Sequence, residues 1–214
     1  MSEASPSFWC VISISENLVW IDCEMTGLDA DKDCLVEIAV VITDSELNVV
    51  DEGIDLVIRP REDSLANMGD FVRNMHTESG LINEFENGLE VEVAERIVLE
   101  YIQRFVPEVK DAPLAGNTIG TDRLFIAKYM PKVDAHLHYR SIDVSSIKEL
   151  SRRWYPRVYF QMPKKDGGHR ALADILESIR ELRYYRETVF VELPGPSSAE
   201  AQLAAEKVSQ DNSN

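Results

Sequence analysis

An apolar run that stops at two carboxylates, residues 18–24 (LVWIDCE), forms the first predicted strand of this chain. The strand is expected to end at Asp22. Side chains alternate along a strand, so Asp22 and Glu24 project from one face beside buried apolar neighbours. Because two uncompensated carboxylates are costly to bury, this pattern favours a bound cation. An ordinary polar strand end has the same pattern, so the interpretation depends on the rest of the chain.

Short strands come first along the chain, and strands then alternate with helices. Further strands are predicted over 36–43, 49–58, 113–116 and 138–144, and helices over 91–105, 119–130, 145–153 and 171–186. A turn at 44–48 suggests that the first three strands form an antiparallel meander. Asn117 is a candidate cap for the helix over 119–130. The sequence therefore predicts an α/β fold with a mixed central sheet, an antiparallel meander followed by parallel strands, flanked by helices.

The 214 residues suit one globular domain with tails. The domain is expected to span 17–191, after an N-terminal extension over 1–16. The sequence Pro194-Gly195-Pro196 breaks the pattern, and 192–214 is expected to be a flexible C-terminal tail with a transient helix over 198–208.

The formal charge of −16 excludes a protein that coats long nucleic acid, because phosphate neutralisation needs a basic surface. The charge is uneven, however, since residues 128–170 contain 10 basic and 4 acidic residues. Three cysteines are too few for a disulfide framework or a zinc site. With no apolar run of 18 residues and no targeting pattern, no membrane partner is expected. A reducing, cytoplasmic location is favoured, and a mitochondrial location stays open.

Two more carboxylates and a histidine lie near the ends of predicted elements. Asp122 and Asp174 each fall in the first turn of a helix, and His169 follows Gly167-Gly168. Taken singly, these are ordinary helix-dipole acids and a loop histidine. Taken with the first two acids, they form a set of hard oxygen ligands that suits Mg²⁺ or Mn²⁺, with room for two ions about 4 Å apart. His169 is the natural general base, and the chemistry that fits is phosphodiester hydrolysis.

Three segments resemble the exonuclease motifs of the DEDDh class: 20–28 (WIDCEMTGL), 116–122 (GNTIGTD) and 169–174 (HRALAD). Longer matches resemble the oligoribonuclease family: 128–131 (KYMP), 138–140 (HYR), 143–150 (DVSSIKEL) and 152–156 (RRWYP). The similarity covers roughly 17–190, nearly the whole predicted domain. It implies a ribonuclease H-like fold, a homodimer, and 3′→5′ hydrolysis of very short RNA oligonucleotides to nucleoside 5′-monophosphates.

The resemblance also implies roles for individual residues. Asp22, Glu24, Asp122 and Asp174 match the metal ligands, and His169 matches the base. The matched substrate-binding residues are Leu28 as a wedge between two bases, His76 as an active-site histidine, Thr118 and Ser145 near the 5′-phosphate, and Tyr139 and Arg140 reaching the partner subunit's substrate. An aromatic ring can stack on a base, and an arginine with hydroxyls can close around a terminal phosphate.

Three residues depart from the family's usual pattern. Thr118 stands where the family usually has Ser, Phe71 where it has Trp, and Ala173 where it has Asp. None of these removes a catalytic group. Two rival interpretations remain: a DEDDh exonuclease that trims longer RNA or DNA, and a nucleotide-binding module that has lost catalysis. Retention of four acids and His169 argues against the second.

Overall fold

One five-stranded mixed sheet lies at the centre of the fold. The computed structural model describes residues 16–164 and 167–211. The strands are β1 Leu18–Met25, β2 Leu35–Thr43, β3 Ile54–Val57, β4 Pro113–Gly116 and β5 His138–Asp143. The helices are α1 Glu62–Asn67, α2 Asp70–Glu78, α3 Val91–Phe105, α4 Gly120–Tyr129, α5 Pro131–His136, α6 Val144–Trp154, α7 Pro156–Phe160, α8 Ala171–Thr188 and α9 Ser198–Asp211. Short 3₁₀ helices lie at Leu81–Asn83 and Phe85–Asn87.

The strand order is β3-β2-β1-β4-β5. β1, β2 and β3 are antiparallel neighbours, whereas β4 pairs in parallel with β1, and β5 in parallel with β4. The predicted meander followed by parallel strands is therefore confirmed.

Two predicted strands differ from the structure by more than one residue at a boundary. β1 does not end at Asp22 but continues to Met25, because its pairing with β2 persists to Met25 opposite Leu35. The strand predicted over 49–58 is regular only from Ile54 to Val57. Gly53 adopts a left-handed backbone with a φ of +83°, which interrupts the extended chain before β3.

The helix predicted over 119–130 is α4, and Asn117 does not cap it. The N-cap position of α4 is Ile119, which makes no side-chain capping bond. The Asn117 side-chain amide instead donates to Ser178 Oγ at 2.8 Å and Glu181 Oε2 at 3.3 Å, both on α8. Asn117 thus links β4 to α8.

Helices cover both faces of the sheet. Val19, Ile21 and Cys23 of β1 pack in the apolar layer that contains residues of α3 and α4. Trp20 packs in the opposite layer, with Ile175 and other residues of α8. Because side chains alternate along β1, Asp22 and Glu24 share the Trp20 face and point toward the side that α8 covers.

The C-terminal region contains more helix than expected. α9 extends three residues beyond the predicted 198–208, and its residues 198–210 are exposed. Of the predicted N-terminal extension, residues 1–15 lie outside the described part. Within the described ranges, no helix is both long and apolar enough to cross a membrane.

Candidate active site

Side chains from three separate parts of the chain meet near the C-terminal end of β1. One ligand atom from each of Glu24, His169 and Asp174 lies within 4.8 Å of the other two. Glu24 comes from β1, Asp174 from the first turn of α8, and His169 from the loop before α8. Since α8 packs against β1, residues that are up to 150 positions apart in the sequence converge here.

Glu24 is buried while its neighbours are also acidic. Only 8% of the residue is exposed. Burial, and then repulsion from Glu37, Asp174 and Asp122, raises the pKa of the Glu24 carboxyl to about 8, against a smaller opposing effect of Arg170. At the Glu24 carboxyl, the acidic neighbours thus outweigh Arg170, and buried oxygen ligands in such surroundings suit a divalent cation.

Asp122 is tied directly to β1. The backbone N–H of Cys23 donates to Asp122 Oδ1 at 3.0 Å. Burial raises the pKa of Asp122 to about 6, although the hydrogen bonds from the Cys23 and Asp122 backbone amides lower it. Asp22 lies on the same face of β1 as Glu24 and is partly buried. Asp22 and Asp122 thus lie near the end of β1, but among the described residues the group with ligand atoms within 4.8 Å of one another consists of Glu24, His169 and Asp174. The carboxylate oxygens of this region suit a hard divalent cation.

His169 is exposed and has an unusual backbone. Its φ is +47°, in the left-handed region that non-glycine residues seldom adopt. Gly167 in the same loop has a φ of +67°. The two left-handed residues turn the chain sharply before α8, and the imidazole is accessible beside Glu24 and Asp174.

His76 is buried on α2, close behind the acidic cluster. Its Nε2 lies 2.9 Å from the carbonyl oxygen of Met25, and its ring meets Phe85 edge-on. Burial lowers the pKa of His76, and repulsion from His169 lowers it further. A neutral His76 donates from Nε2 and so ties α2 to the end of β1. Its predicted substrate role stays a prediction.

Thr118 and Ser145 are brought together by Asp143. The Thr118 N–H lies 2.9 Å from Asp143 Oδ1 and 3.2 Å from Ser145 Oγ. Ser145 Oγ donates to the same carboxylate oxygen at 2.6 Å. Thr118 has a φ of +57°, which is strained for a β-branched residue. These two hydroxyl-bearing residues therefore form one polar corner between β4 and α6.

The other predicted substrate-binding residues are exposed and lie in two places, Leu28 in a loop and Tyr139 and Arg140 on a strand. Leu28 is 78% exposed in the loop between β1 and β2. Tyr139 and Arg140 lie on β5, the edge strand, with the Arg140 guanidinium 5.5 Å from the Tyr139 ring centroid. The described contacts of the Arg140 guanidinium do not include the acidic cluster. Its predicted action on a partner subunit's substrate stays a prediction.

Sequence reasoning assigned no role to Glu37 and Arg170. Glu37 lies opposite Glu24 in the β1–β2 register, and its carboxylate pairs with Arg170 at 2.7 Å. The sequence signal for Glu37 was a single charged residue in a strand that is otherwise apolar except for its last residue, Thr43. Arg170 was inside the third motif and gave no comparable signal.

Comparisons with known proteins agree with this geometry. A family model described as "Exonuclease" matches residues 19–182. An oligoribonuclease from Leifsonia xyli subsp. xyli is 64% identical over 89% of this chain and 92% of its own length. One from Streptomyces coelicolor is 56% identical over 91% of this chain and 97% of its own length.

Solved structures share the fold at low identity. E. coli Exonuclease I in complex with a dT13 oligonucleotide has a TM-score of 0.64 and is 15% identical. The match covers 80% of this chain but only 41% of that one. Cell-death related nuclease 4 has a TM-score of 0.63 at 14% identity, with 82% of this chain and 65% of that one covered. The ribonuclease H-like fold is thereby confirmed. From its matched residues and its relatives, this chain belongs to the oligoribonuclease family of exonucleases.

Proposed function

We propose that this protein is a 3′→5′ exoribonuclease that hydrolyses dinucleotides and slightly longer RNA oligomers to nucleoside 5′-monophosphates. The convergence of Glu24, His169 and Asp174 within 4.8 Å carries the proposal, because it joins two carboxylate ligands to a group that can accept a proton. The oligoribonuclease relatives, matched along nine-tenths of this chain, support the choice of short RNA.

Asp22, Glu24, Asp122 and Asp174 would hold the metal, Mg²⁺ or Mn²⁺, as two ions in each site. When bound, such ions activate a water and stabilise the leaving oxygen of the phosphodiester. The raised pKa values of Glu24 and Asp122 support this assignment, since buried anions without enough counter-charge favour a cation.

His169 would act as the general base. An imidazole titrates near neutrality, so it can accept a proton from the attacking water and release it afterwards. Its exposure beside Glu24 and Asp174 supports this role, because the reacting water must reach the ring.

The substrate would be bound through its bases and through its 5′-phosphate. Leu28 has an exposed apolar side chain that can pack between two bases. The ring of Phe71 is also exposed, so it is a second apolar surface that a base could contact. Thr118 and Ser145 would contact the 5′-phosphate together with Arg140 of the second subunit of a homodimer. An arginine suits this task because its planar donors match phosphate oxygens.

One alternative has a specific observation in its favour. Solved exonucleases with this fold include a complex with a DNA oligonucleotide, so trimming of longer RNA or DNA is the second candidate. That likeness is at 15% identity and concerns the fold alone. The relatives at 64% and 56% identity favour the short-RNA activity.

The metal and catalytic assignment is tested with Asp174→Asn. We expect turnover of a 5′-labelled dinucleotide to fall by at least about 1,000-fold, because a neutral amide is a poor ligand for a hard cation. Glu92→Gln is the matched control, since Glu92 is also an acid in the first turn of a helix but is remote from the cluster. Unchanged turnover by Asp174→Asn would contradict the assignment.

The partner-subunit assignment is tested by subunit mixing. Each variant alone, Arg140→Ala or His169→Ala, should have impaired activity. For Arg140→Ala, the loss should be greater on dinucleotides than on longer oligomers. Equal mixing produces dimers that have one site with both residues intact, so about a quarter of wild-type activity should return. If mixing restores nothing, although co-purification of differently tagged subunits shows that mixed dimers form, Arg140 does not act across the interface.

A further inference from the structure

An ion pair between the buried Glu37 and the partly exposed Arg170 lies next to His169 in the chain. Glu37, in the middle of β2, has no exposed side-chain surface, and its Oε1 accepts from Arg170 Nε at 2.7 Å. Its second oxygen accepts the backbone N–H of Ala171 at 2.9 Å. One carboxylate therefore holds both the residue after His169 and the first residue of α8.

The bond to Ala171 replaces a missing helix cap. The N-cap residue of α8 is Arg170, whose side chain makes no capping bond. The free N–H groups of a first helical turn are ordinarily satisfied by a side-chain oxygen from the N-cap residue. Here Glu37 supplies that oxygen from a different element, and its charge is favourably placed at the positive end of the helix.

Arg170 forms two further ion pairs, with Glu84 and Asp55. Its Nη1 lies 2.9 Å from Glu84 Oε1, next to the Phe85–Asn87 turn, and its Nη2 lies 4.0 Å from Asp55 Oδ2 on β3. The guanidinium thus connects two strands and a 3₁₀ segment to the backbone immediately after His169. Such a pair is stabilising only while both partners are present, because either charge alone would be uncompensated.

His169 needs this support because of its backbone. A non-glycine residue at a φ of +47° is strained and keeps that conformation only when its surroundings enforce it. The loop before it contains Gly167 and Gly168, which impose little restriction of their own. The firm attachment lies on the C-terminal side, at Arg170 and Ala171.

We propose that Glu37 and Arg170 are positioning residues, a pair that holds the His169 imidazole beside Glu24 and Asp174. Neither is assigned contact with substrate or metal. The inference rests on the proposed role of His169 as the general base. The positioning role of Glu37 explains why a glutamate occupies a fully buried position in β2, where an apolar residue would otherwise pack.

The first test compares kinetic constants on a dinucleotide. Arg170→Ala should lower kcat by about 100-fold with little change in KM, the size expected when a catalytic group is displaced by about 1 Å. Glu37→Gln keeps an oxygen for the Ala171 N–H but loses the ion pair, so a smaller fall in kcat is expected. Arg170→Lys keeps the positive charge, so its kcat should lie between those of Arg170→Ala and the wild type. Arg186→Ala is the control, because Arg186 lies on the same helix and also pairs with a glutamate, Glu46, but near the opposite end of α8 from His169.

The second test is a double-mutant cycle with His169→Ala. If Arg170 acts through His169, Arg170→Ala should cost little further activity in the His169→Ala background. A loss of about 100-fold in both backgrounds would overturn the inference, since Arg170 would then act on the metal site or on folding. Wild-type kcat in Arg170→Ala and Glu37→Gln would overturn it as well. Full activity in His169→Ala would instead contradict the proposed base, which separates the two failures.

Discussion

At Glu24, burial and like charge act in the same direction. The carboxyl is nearly enclosed, faces Glu37 across the strand pair, and has its pKa raised from 4.5 to about 8. A group whose pKa is higher in the folded than in the unfolded state stabilises the fold at low pH, and this stability is lost as the pH rises toward the folded value. Without metal, the window of loss at Glu24 therefore runs from about pH 4.5 to about pH 8.

Glu24→Gln should stabilise the metal-free protein while it abolishes activity. Glutamine carries no charge to bury, so in chelator the free energy of unfolding should exceed that of wild type by roughly 1–3 kcal/mol at pH 9. At pH 5, where Glu24 is protonated in the folded state, the difference should be small. Urea titrations at pH 5, 7 and 9 measure it.

Glu95→Gln is the matched control for this measurement. Glu95 is also buried, but its carboxylate accepts the Lys132 N–H at 2.7 Å and lies 3.8 Å from Lys132 Nζ. Loss of a compensated charge should not stabilise the fold. A Glu24→Gln difference that is the same at all three pH values would show that like-charge burial is not the cause.

At the scale of elements, the loop between β1 and β2 is organised around Asp33. Asp33 Oδ1 accepts the Thr26 hydroxyl at 3.1 Å, and Oδ2 accepts the Asp29 N–H at 2.9 Å. A Cβ on Gly27 would lie 2.4 Å from Asp33 Oδ2, so the loop closes this tightly only with glycine there. The loop presents Leu28 to solvent from a rigid base.

Asp33→Ala should therefore impair dinucleotide cleavage through Leu28. We expect KM for a dinucleotide to rise by about 10-fold, with a smaller change for a five-nucleotide RNA, because a longer substrate has further contacts. Leu28→Ala should have the same length dependence. Asp31→Ala is the control, since Asp31 lies in the same loop but is exposed and pairs with Lys128. Equal effects on both lengths would contradict a wedge held by Asp33.

Elements with a strong local pattern could be predicted from the sequence, and elements set by tertiary contacts could not. The apolar period over Val91–Phe105 and the short run Pro113–Gly116 matched α3 and β4 at both ends. The end of β1 was misjudged because the polar residues Asp22 and Glu24 look like a boundary, whereas pairing with β2 keeps them in the strand. Asn117 was assigned to a cap because its bond to Ser178, 61 residues away, has no local signal.

Across the whole molecule, the excess of basic residues in 128–170 is largely neutralised by ion pairs. Partners of opposite charge are present for six of these residues: Lys128, Lys132, Lys148, Arg152, Arg153 and Arg170. Arg140 differs, because its described side-chain contact is with the Tyr139 ring. An overall charge of −16, with six basic residues of this stretch paired to acids, suits a substrate with one or two phosphates better than a long strand.

The sequence indicated the four acids because each has the local pattern of an element's end, and the structure brings two of them, Glu24 and Asp174, together with His169. Their roles as metal ligands stay predictions. The supporting pair could not be predicted, since Glu37 and Arg170 meet across 133 positions and only the folded sheet brings them together. Roles that need a second subunit or bound RNA, those of Tyr139, Arg140 and Leu28, stay predictions. So do the cytoplasmic location and the domain limits.

Length-resolved digestion shows whether this protein is a metal-dependent 3′→5′ exonuclease that prefers short RNA. The protein is incubated with 5′-labelled RNAs of two, five and twenty nucleotides, with Mg²⁺ and with chelator, and products are separated at single-nucleotide resolution. We predict metal-dependent release of mononucleotides from the 3′ end, with kcat/KM for the dinucleotide at least about 10-fold above that for the twenty-nucleotide RNA. A rate that is equal or greater on the longest RNA, or cleavage that persists in chelator, would contradict the account.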